Sequence, residues 1–411
     1  MGPRSFQYVY AIIRRLIMTG QDVQQSARDE PKFFYGYIIV VAAFCIMLVT
    51  YGTSVVFGVF FKPMSTELGW TRAMTSGAFT LSTVISGLIA IVVGRFTDKL
   101  GSRLIMTLCG FFIGLGYVLM SLTGTIWQLY LFFGVIRGIG VSGPWVSLAS
   151  TIARWFTKRR SMMTGIVLAG TSTGLLLTPP VAGWLISVYD WRTSYVILGV
   201  LVFVVVTLAA QFLRRDPAKR GQVPYGEGKV GDQTLQAVMD IYSFRDAIHT
   251  RQLWLLLTMV LCQGFCFFAI IVHIIPHATD LGISDLGAAG ILTTIGGLGI
   301  VGRVLLGNIA DRIGGRQTFV ICFVLILTSL LWLAYVRETW MLYLFAVIFG
   351  FATGGTAVSG SPLVAGLYGL SSHGVILGFV NLGFSIGGAV SPVLAGYIFD
   401  TSGSYQIAFL A

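Results

Sequence analysis

The sequence predicts an all-α membrane protein built as two pseudo-repeated six-helix bundles, twelve spans in plan, and three observations predict it. Of 411 residues, 55% are hydrophobic and only 10% charged, with mean hydropathy +0.84. Soluble domains carry about 25% charge, so the bilayer is the solvent for this chain. Apolar windows of roughly 20 residues, the length a helix needs to cross hydrocarbon, recur along its whole length. Segments 213 residues apart also match: Gly94-Arg-Phe-Thr-Asp98-Lys-Leu-Gly101-Ser-Arg103 returns as Gly307-Asn-Ile-Ala-Asp311-Arg-Ile-Gly314-Gly-Arg316. One shared offset across loops and helices marks a duplicated domain, and paired halves of this kind enclose a site for moving solutes.

The first half supplies spans near residues 34–61, 75–96, 103–122, 126–153, 161–187 and 191–213. The repeat loop opening at Gly94 joins the second to the third. Trp127, Leu129, Tyr130, Leu131 and Phe132 open the fourth and return at the 213-residue offset as Trp340, Leu342, Tyr343, Leu344 and Phe345. The fifth carries Gly170, Gly174, Pro179 and Gly183, which return as Gly383, Gly387, Pro392 and Gly396. The second half supplies spans near 250–277, 285–312, 316–336, 339–365 and 373–399. The twelfth, expected from 404, is read as truncated, with Gln406–Ala411 its first turns. The domain plan is therefore a tail over 1–32, a bundle over 33–213, a linker over 214–249 and a second bundle over 250–411. The linker is the polar stretch at the join, punctuated by Asp216-Pro217, Gly221, Pro224, Gly226 and Gly228.

A net charge of +11 could suggest nucleic acid, but its distribution excludes that reading. Of 27 Lys and Arg, 21 lie in the tail and in the loops after the second, fourth, sixth and eighth spans, and four (Lys62, Arg72, Arg192, Arg337) on the other side. The positive-inside rule then puts the amino terminus and the linker in the cytoplasm of a multi-pass protein of the cell's inner (plasma) membrane, its basic surface against anionic lipid. The tail carries a short apolar patch, Tyr10 to Met18, with no small-residue cleavage pattern, so it reads as a cytoplasmic or interfacial segment. Cys45, Cys109, Cys262, Cys266 and Cys322 all fall in apolar spans. Cys262 and Cys266 share a helix face but have no His or acidic companion, so no metal is expected. No cofactor is expected either. Paired carboxylates, a nucleophile with its base and a phosphate-cradling loop are all missing, and the GxGxxG-like strings lie inside apolar helices, so the chain is not read as an enzyme.

The paired loops follow the pattern G-x-x-x-D-[RK]-x-G-x-[RK], which with the twelve-span plan and basic linker resembles the major facilitator superfamily. The resemblance implies a gate. Gly94 and Gly307 permit close helix approach, Asp98 and Asp311 accept from helix amino termini and arginines, and Gly101, Arg103, Gly314 and Arg316 complete each copy. Val272-His273-Ile-Ile-Pro276-His277-Ala-Thr-Asp280-Leu-Gly282 and Gly296-Gly-Leu-Gly-Ile-Val-Gly302-Arg303 resemble the monocarboxylate transporter and oxalate/formate antiporter group within it.

Arg303 is the sharpest candidate: a charge in mid-span costs roughly 2.5 to 3.5 kcal/mol on insertion scales, and a guanidinium fork matches a carboxylate. The resemblance implies that it binds the anion; the alternative is an arginine satisfied by carbonyls or reaching toward Asp311. Arg137 is the second intramembrane cation, with either a coupling or a packing role. Many members of the group have an Asp one turn before the arginine, and here that position is Gly299. Oxalate exchangers pair the arginine with a lysine in the eleventh span; here Asn381 is offered instead, which favours a singly charged substrate. His273 and His277, four residues apart, could pass protons or merely bond locally. Asn381 and Tyr51 could line the pocket or pack between helices, and the Gly174–Gly183 run and its echo permit bending and close contact across the seam between halves.

The resulting expectation is a monomeric secondary carrier of a small organic anion, in the first instance a monocarboxylate, coupled to protons or working by exchange. An exporter of amphipathic drugs would want a buried acid that the sequence does not supply. A non-transporting membrane sensor would want a soluble signalling domain larger than this linker.

Overall fold

The structure is a computed structural model and describes residues 34–70, 72–226 and 243–402. Among the described residues, eleven helices are long and apolar enough to cross a membrane. They are α1 (Gly36–Val55, continued as Phe57–Leu68), α2 (Arg72–Leu100), α3 (Ser102–Met120), α4 (Ile126–Trp155), α5 (Arg160–Val188) and α6 (Trp191–Phe212). After the linker come α7 (Arg251–Asp280), α8 (Asp285–Ile313), α9 (Gly315–Leu333), α10 (Thr339–Tyr368) and α11 (His373–Ser402). The tail, linker residues 227–242 and the start of the expected twelfth span lie outside the described residues.

Local chemistry sets the joints. Gly101 and Gly314 stand between α2 and α3 and between α8 and α9 with φ of 87° and 96°. Only glycine adopts that backbone freely, and it lets one residue turn the chain from one span into the next. Thr125 and Gln128 form a capping box at the start of α4, and the Asp190 carboxylate accepts from Thr193 N at 2.7 Å to cap α6. Over Tyr130–Arg137, α4 widens into a π-helix that ends on Arg137.

The 213-residue offset reappears in three dimensions. The Tyr130 hydroxyl donates to Met74 O at 3.0 Å above Gly77, and Tyr343 donates to Gly287 O at 3.2 Å above Gly290. Gly170 and Gly174 pack on the backbone of α1, and Gly383 and Gly387 on the backbone of α7. These glycines bind helices within each half, so the expected contact across the seam falls elsewhere on α5 and α11.

Large apolar side chains such as Leu88, Leu104, Leu208 and Leu327 face outward and are exposed, as a lipid-facing surface requires. The joints α2–α3, α4–α5, α8–α9 and α10–α11 and the linker share one end of the molecule, called the basic end below. There Tyr225 is strapped to the first half: its N–H donates to Trp155 O at 2.9 Å and its carbonyl accepts from Lys158 N at 2.9 Å.

Candidate functional site

Two helix pairs form the seam between halves, α2 with α11 and α5 with α8, and both close at the basic end through the repeated loop. The Asp98 carboxylate accepts from Gly374 N and Val375 N, each at 3.1 Å, and from the Arg154 guanidinium at 3.2 Å. Asp311 accepts from Ser161 N at 2.8 Å and Met162 N at 2.9 Å. Each acid therefore sits on the positive amino terminus of a helix from the other half, where its charge satisfies N–H groups that the helix leaves open. Gly94 and Gly307 are the close approaches beneath: a methyl on Gly307 would lie 2.8 Å from Ser161 O, and one on Gly94 would collide with Gly374 O. Arg103 donates to Gln211 Oε1 at 2.9 Å on α6, and Arg316 is exposed.

Along the α5–α8 seam the contacts loosen step by step away from that end. Gly165 packs against the main-chain carbonyl of Arg303. One turn farther, a methyl on Gly299 would stand 3.8 Å from Ser172 Oγ and 3.6 Å from Gly350 O. At Gly296, two turns beyond Arg303 on the same face, it would meet nothing within 4 Å. The close backbone contacts of this seam therefore lie toward the basic end and are not repeated at Gly296.

Arg303 stands at the last of these close backbone contacts. It lies ten residues from Ile313 at the basic end of α8, about 15 Å at the helical rise. Its side chain leans toward the helix amino terminus, as helical side chains do, and Nη1 donates to the Ser172 hydroxyl on α5. Nε is closed to solvent without a partner, and no carboxylate pairs with the guanidinium among the described residues. Asp311, the sequence's other option, is occupied by the α5 amino terminus.

Arg137 is handled differently. It is 3% exposed, and all three of its nitrogens are engaged: Nε with Tyr117 Oη at 3.2 Å, Nη1 with Ser82 Oγ at 2.8 Å, and Nη2 with Ser54 Oγ. The Phe133 ring lies 4.5 Å from the guanidinium carbon. This cation ties α1, α2 and α3 to α4 and offers no free edge.

Among the described residues, no hydrogen bond joins Arg303 to the other sequence candidates. Tyr51 is half-buried in the apolar core of the first half with no side-chain hydrogen bond among the described residues. Asn381 is half-buried on α11 between Gly378 and Ser385, both packed on α2. His273 and His277 lie on α7 near the end away from the basic loops, His277 buried and His273 half-buried. Among the described residues, no group of three or more His, Cys, Asp or Glu could hold a metal.

Two residues emerge that the sequence reading passed over. Ser172 holds Arg303. His373 opens α11 inside the gate, fully buried, with Nε2 3.0 Å from Ser361 O. Its place directly before Gly374, and its match to Arg160 at the repeat offset, could have flagged it.

The comparisons with known proteins follow this geometry. The family model described as Major Facilitator Superfamily matches residues 42–337 and 278–411. Monocarboxylate transporter 13 of Rattus norvegicus is 24% identical over 401 residues, spanning 93% of this chain and 86% of that protein. Monocarboxylate transporter 11 of Homo sapiens is 24% identical over 391 residues, spanning 92% and 80%. Among solved structures, the E. coli fucose:proton symporter superposes with TM-score 0.67 at 16% identity, covering 91% of this chain and 95% of its own. The human organic anion transporter TETRAN superposes with TM-score 0.63 at 16% identity, covering 93% and 98%.

Proposed function

The chain belongs to the Major Facilitator Superfamily, a family of membrane transporters and not of enzymes, and from that premise we propose that it carries a small organic anion, foremost a monocarboxylate, by alternating access. The observation that carries this reading is Arg303, a cation in mid-membrane whose one hydrogen bond among the described residues goes to a neutral hydroxyl. A guanidinium so placed lacks a negative partner, and a carboxylate from solution supplies one with matching planar geometry. A single net cation at the site suits a single anionic charge. The similarity to monocarboxylate transporters at 24% identity supports the same cargo class.

The basic end is assigned to the cytoplasm by the distribution of Lys and Arg, so the end of the seam away from the clasps faces the outside. Cargo enters there and pairs with Arg303. The clasps at Asp98 and Asp311 then release while the outer ends close, and the same site faces the cytoplasm. Transport is coupled to protons or runs as exchange of one anion for another, in a monomer held by the surrounding lipid.

The test is uptake by proteoliposomes offered labelled lactate, pyruvate, formate, oxalate and an uncharged sugar, with and without a pH gradient. Uptake of a monocarboxylate that disappears in Arg303→Gln is the expected result. Sugar uptake with indifference to every carboxylate removes the proposal.

A further inference from the structure

Ser172 is 7% exposed on α5, and its hydroxyl receives the one hydrogen bond that the Arg303 side chain makes among the described residues. That bond uses Nη1. It leaves the Nε–Nη2 edge of the fork without an acceptor among the described residues, its Nε buried in this state so that cargo reaches it only as the seam loosens. An arginine side chain has four rotatable bonds and loses much entropy when it is held, so a single short-range anchor decides which edge it presents. Gly299 lies beside the anchor, where a methyl would stand 3.8 Å from Ser172 Oγ, an ordinary contact distance. Beyond Gly299 the backbone contacts of this seam loosen, toward the end from which cargo arrives.

Resting on the anion reading above, we infer that Ser172 is the positioning residue of the site: by holding Nη1 it aims the Nε–Nη2 edge of Arg303 at the carboxylate of the cargo. Cargo binds side-on to that edge and the Ser172 bond persists in the loaded state. The orphaned Nε gains its acceptor only when a carboxylate is present, which favours a planar, two-oxygen anion over a halide of equal charge. The repeat separates the serine from its task. The residue matching Ser172 at the 213-residue offset is Ser385, whose neighbour across its own seam is Gly87 and which has no arginine to hold.

The experiment measures concentration dependence of labelled lactate, pyruvate and formate uptake in proteoliposomes for the unaltered protein, Ser172→Ala, Ser172→Thr, Arg303→Lys and Ser172→Ala combined with Arg303→Lys, with monodisperse elution of each purified variant as the folding control. Ser172→Ala is expected to raise KM about tenfold, as loss of one hydrogen bond to a charged group would, with maximal rate within about twofold. Ser172→Thr restores the hydroxyl and the affinity. In the Arg303→Lys background, where no fork remains to be aimed, Ser172→Ala adds nothing. An unchanged KM in Ser172→Ala, or losses that multiply in the double variant, overturns the inference. If Arg303→Gln is inactive toward carboxylates while Ser172→Ala is unaltered, this inference falls alone. If the unaltered protein carries no carboxylate, both readings fall together.

Discussion

Arg303 and Ala90 hold the same place in the two repeats, 213 residues apart, and Gly165 and Gly378 pack against their respective main-chain carbonyls. The backbone contact is duplicated and the charge is not. The acids repeat as well: Asp98 on Gly374 and Val375 corresponds position by position to Asp311 on Ser161 and Met162. Against that symmetric frame the unmatched guanidinium stands out as a feature of one seam only.

Replacing Arg303 separates charge from geometry. Arg303→Lys keeps a point charge but loses the fork, so KM for a monocarboxylate rises about 10- to 100-fold, the range for losing one charge-assisted hydrogen bond. Arg303→Gln loses transport altogether. Equal uptake by the lysine and arginine forms would mean that only the charge matters.

The two clasps are unequal. Asp98 is buried and holds Arg154 besides two N–H groups, whereas Asp311 is exposed and holds two N–H groups. Asp98→Asn is therefore expected to open the basic end more than Asp311→Asn. Ser361 is fully buried in that gate. On a background without the five native cysteines, thiol labelling of Ser361→Cys from the basic side should rise more with Asp98→Asn. The reverse order contradicts the ranking.

Gly165 has no room for a side chain, since a methyl there meets the Arg303 carbonyl. Gly165→Val forces α5 from α8 at a cost typical of overpacking, about 1 to 3 kcal/mol, which shifts a two-state equilibrium roughly 5- to 150-fold away from this closed seam. The same labelling assay reads it. Substitution at Gly183, which nothing approaches within 4 Å, is the control and should be silent.

Arg137→Leu removes the cation around which Ser54, Ser82 and the Tyr117 hydroxyl are arranged; Ser54 and Tyr117 keep their bonds to Thr50 O and Thr53 O, while Ser82 loses its side-chain partner among the described residues. Loss of folded protein, seen as aggregation on size exclusion or a fall of several degrees in Tm, is expected ahead of any specific transport defect. A well-folded, inactive Arg137→Leu protein would instead give this arginine a direct part in transport.

At the end opposite the basic loops, the Trp191 indole N–H and the Arg192 guanidinium hold the Glu67 carboxyl below the ordinary carboxylate range. A folded-state value below the unfolded one, which lies near pH 4, contributes stability above that pH and loses it as pH falls through the lower folded value. The Tm gap between the unaltered protein and Glu67→Gln should be present at pH 7 and close on acidification below about pH 4. A gap that persists unchanged to pH 3 speaks against the linkage.

Much of the architecture was legible because duplication leaves a constant offset, and the Asp98 and Asp311 acceptors followed from their loop pattern and the polarity of helix ends. What the sequence does not disclose is which neighbour each helix face meets. Gly165 and Gly170 are five residues apart, about 140° around α5, so one meets α8 and the other α1. Glycine spacing alone reads the same for both. Ser172 was hidden for a related reason: in Gly170-Thr-Ser-Thr-Gly174 it is one hydroxyl among three, and only the approach of α8 singles it out. Arg303 and Arg137 both read as intramembrane cations, and what the sequence does not show is how many partners other helices bring to each.

The uneven seam has a consequence for how such a carrier can change. The pivoting hardware is written twice, in glycines and backbone atoms, while the chemistry that selects a passenger is written once, on a single face of α8 and its partner on α5. A lineage could exchange one passenger for another by editing that one face and leave the rocking machinery intact.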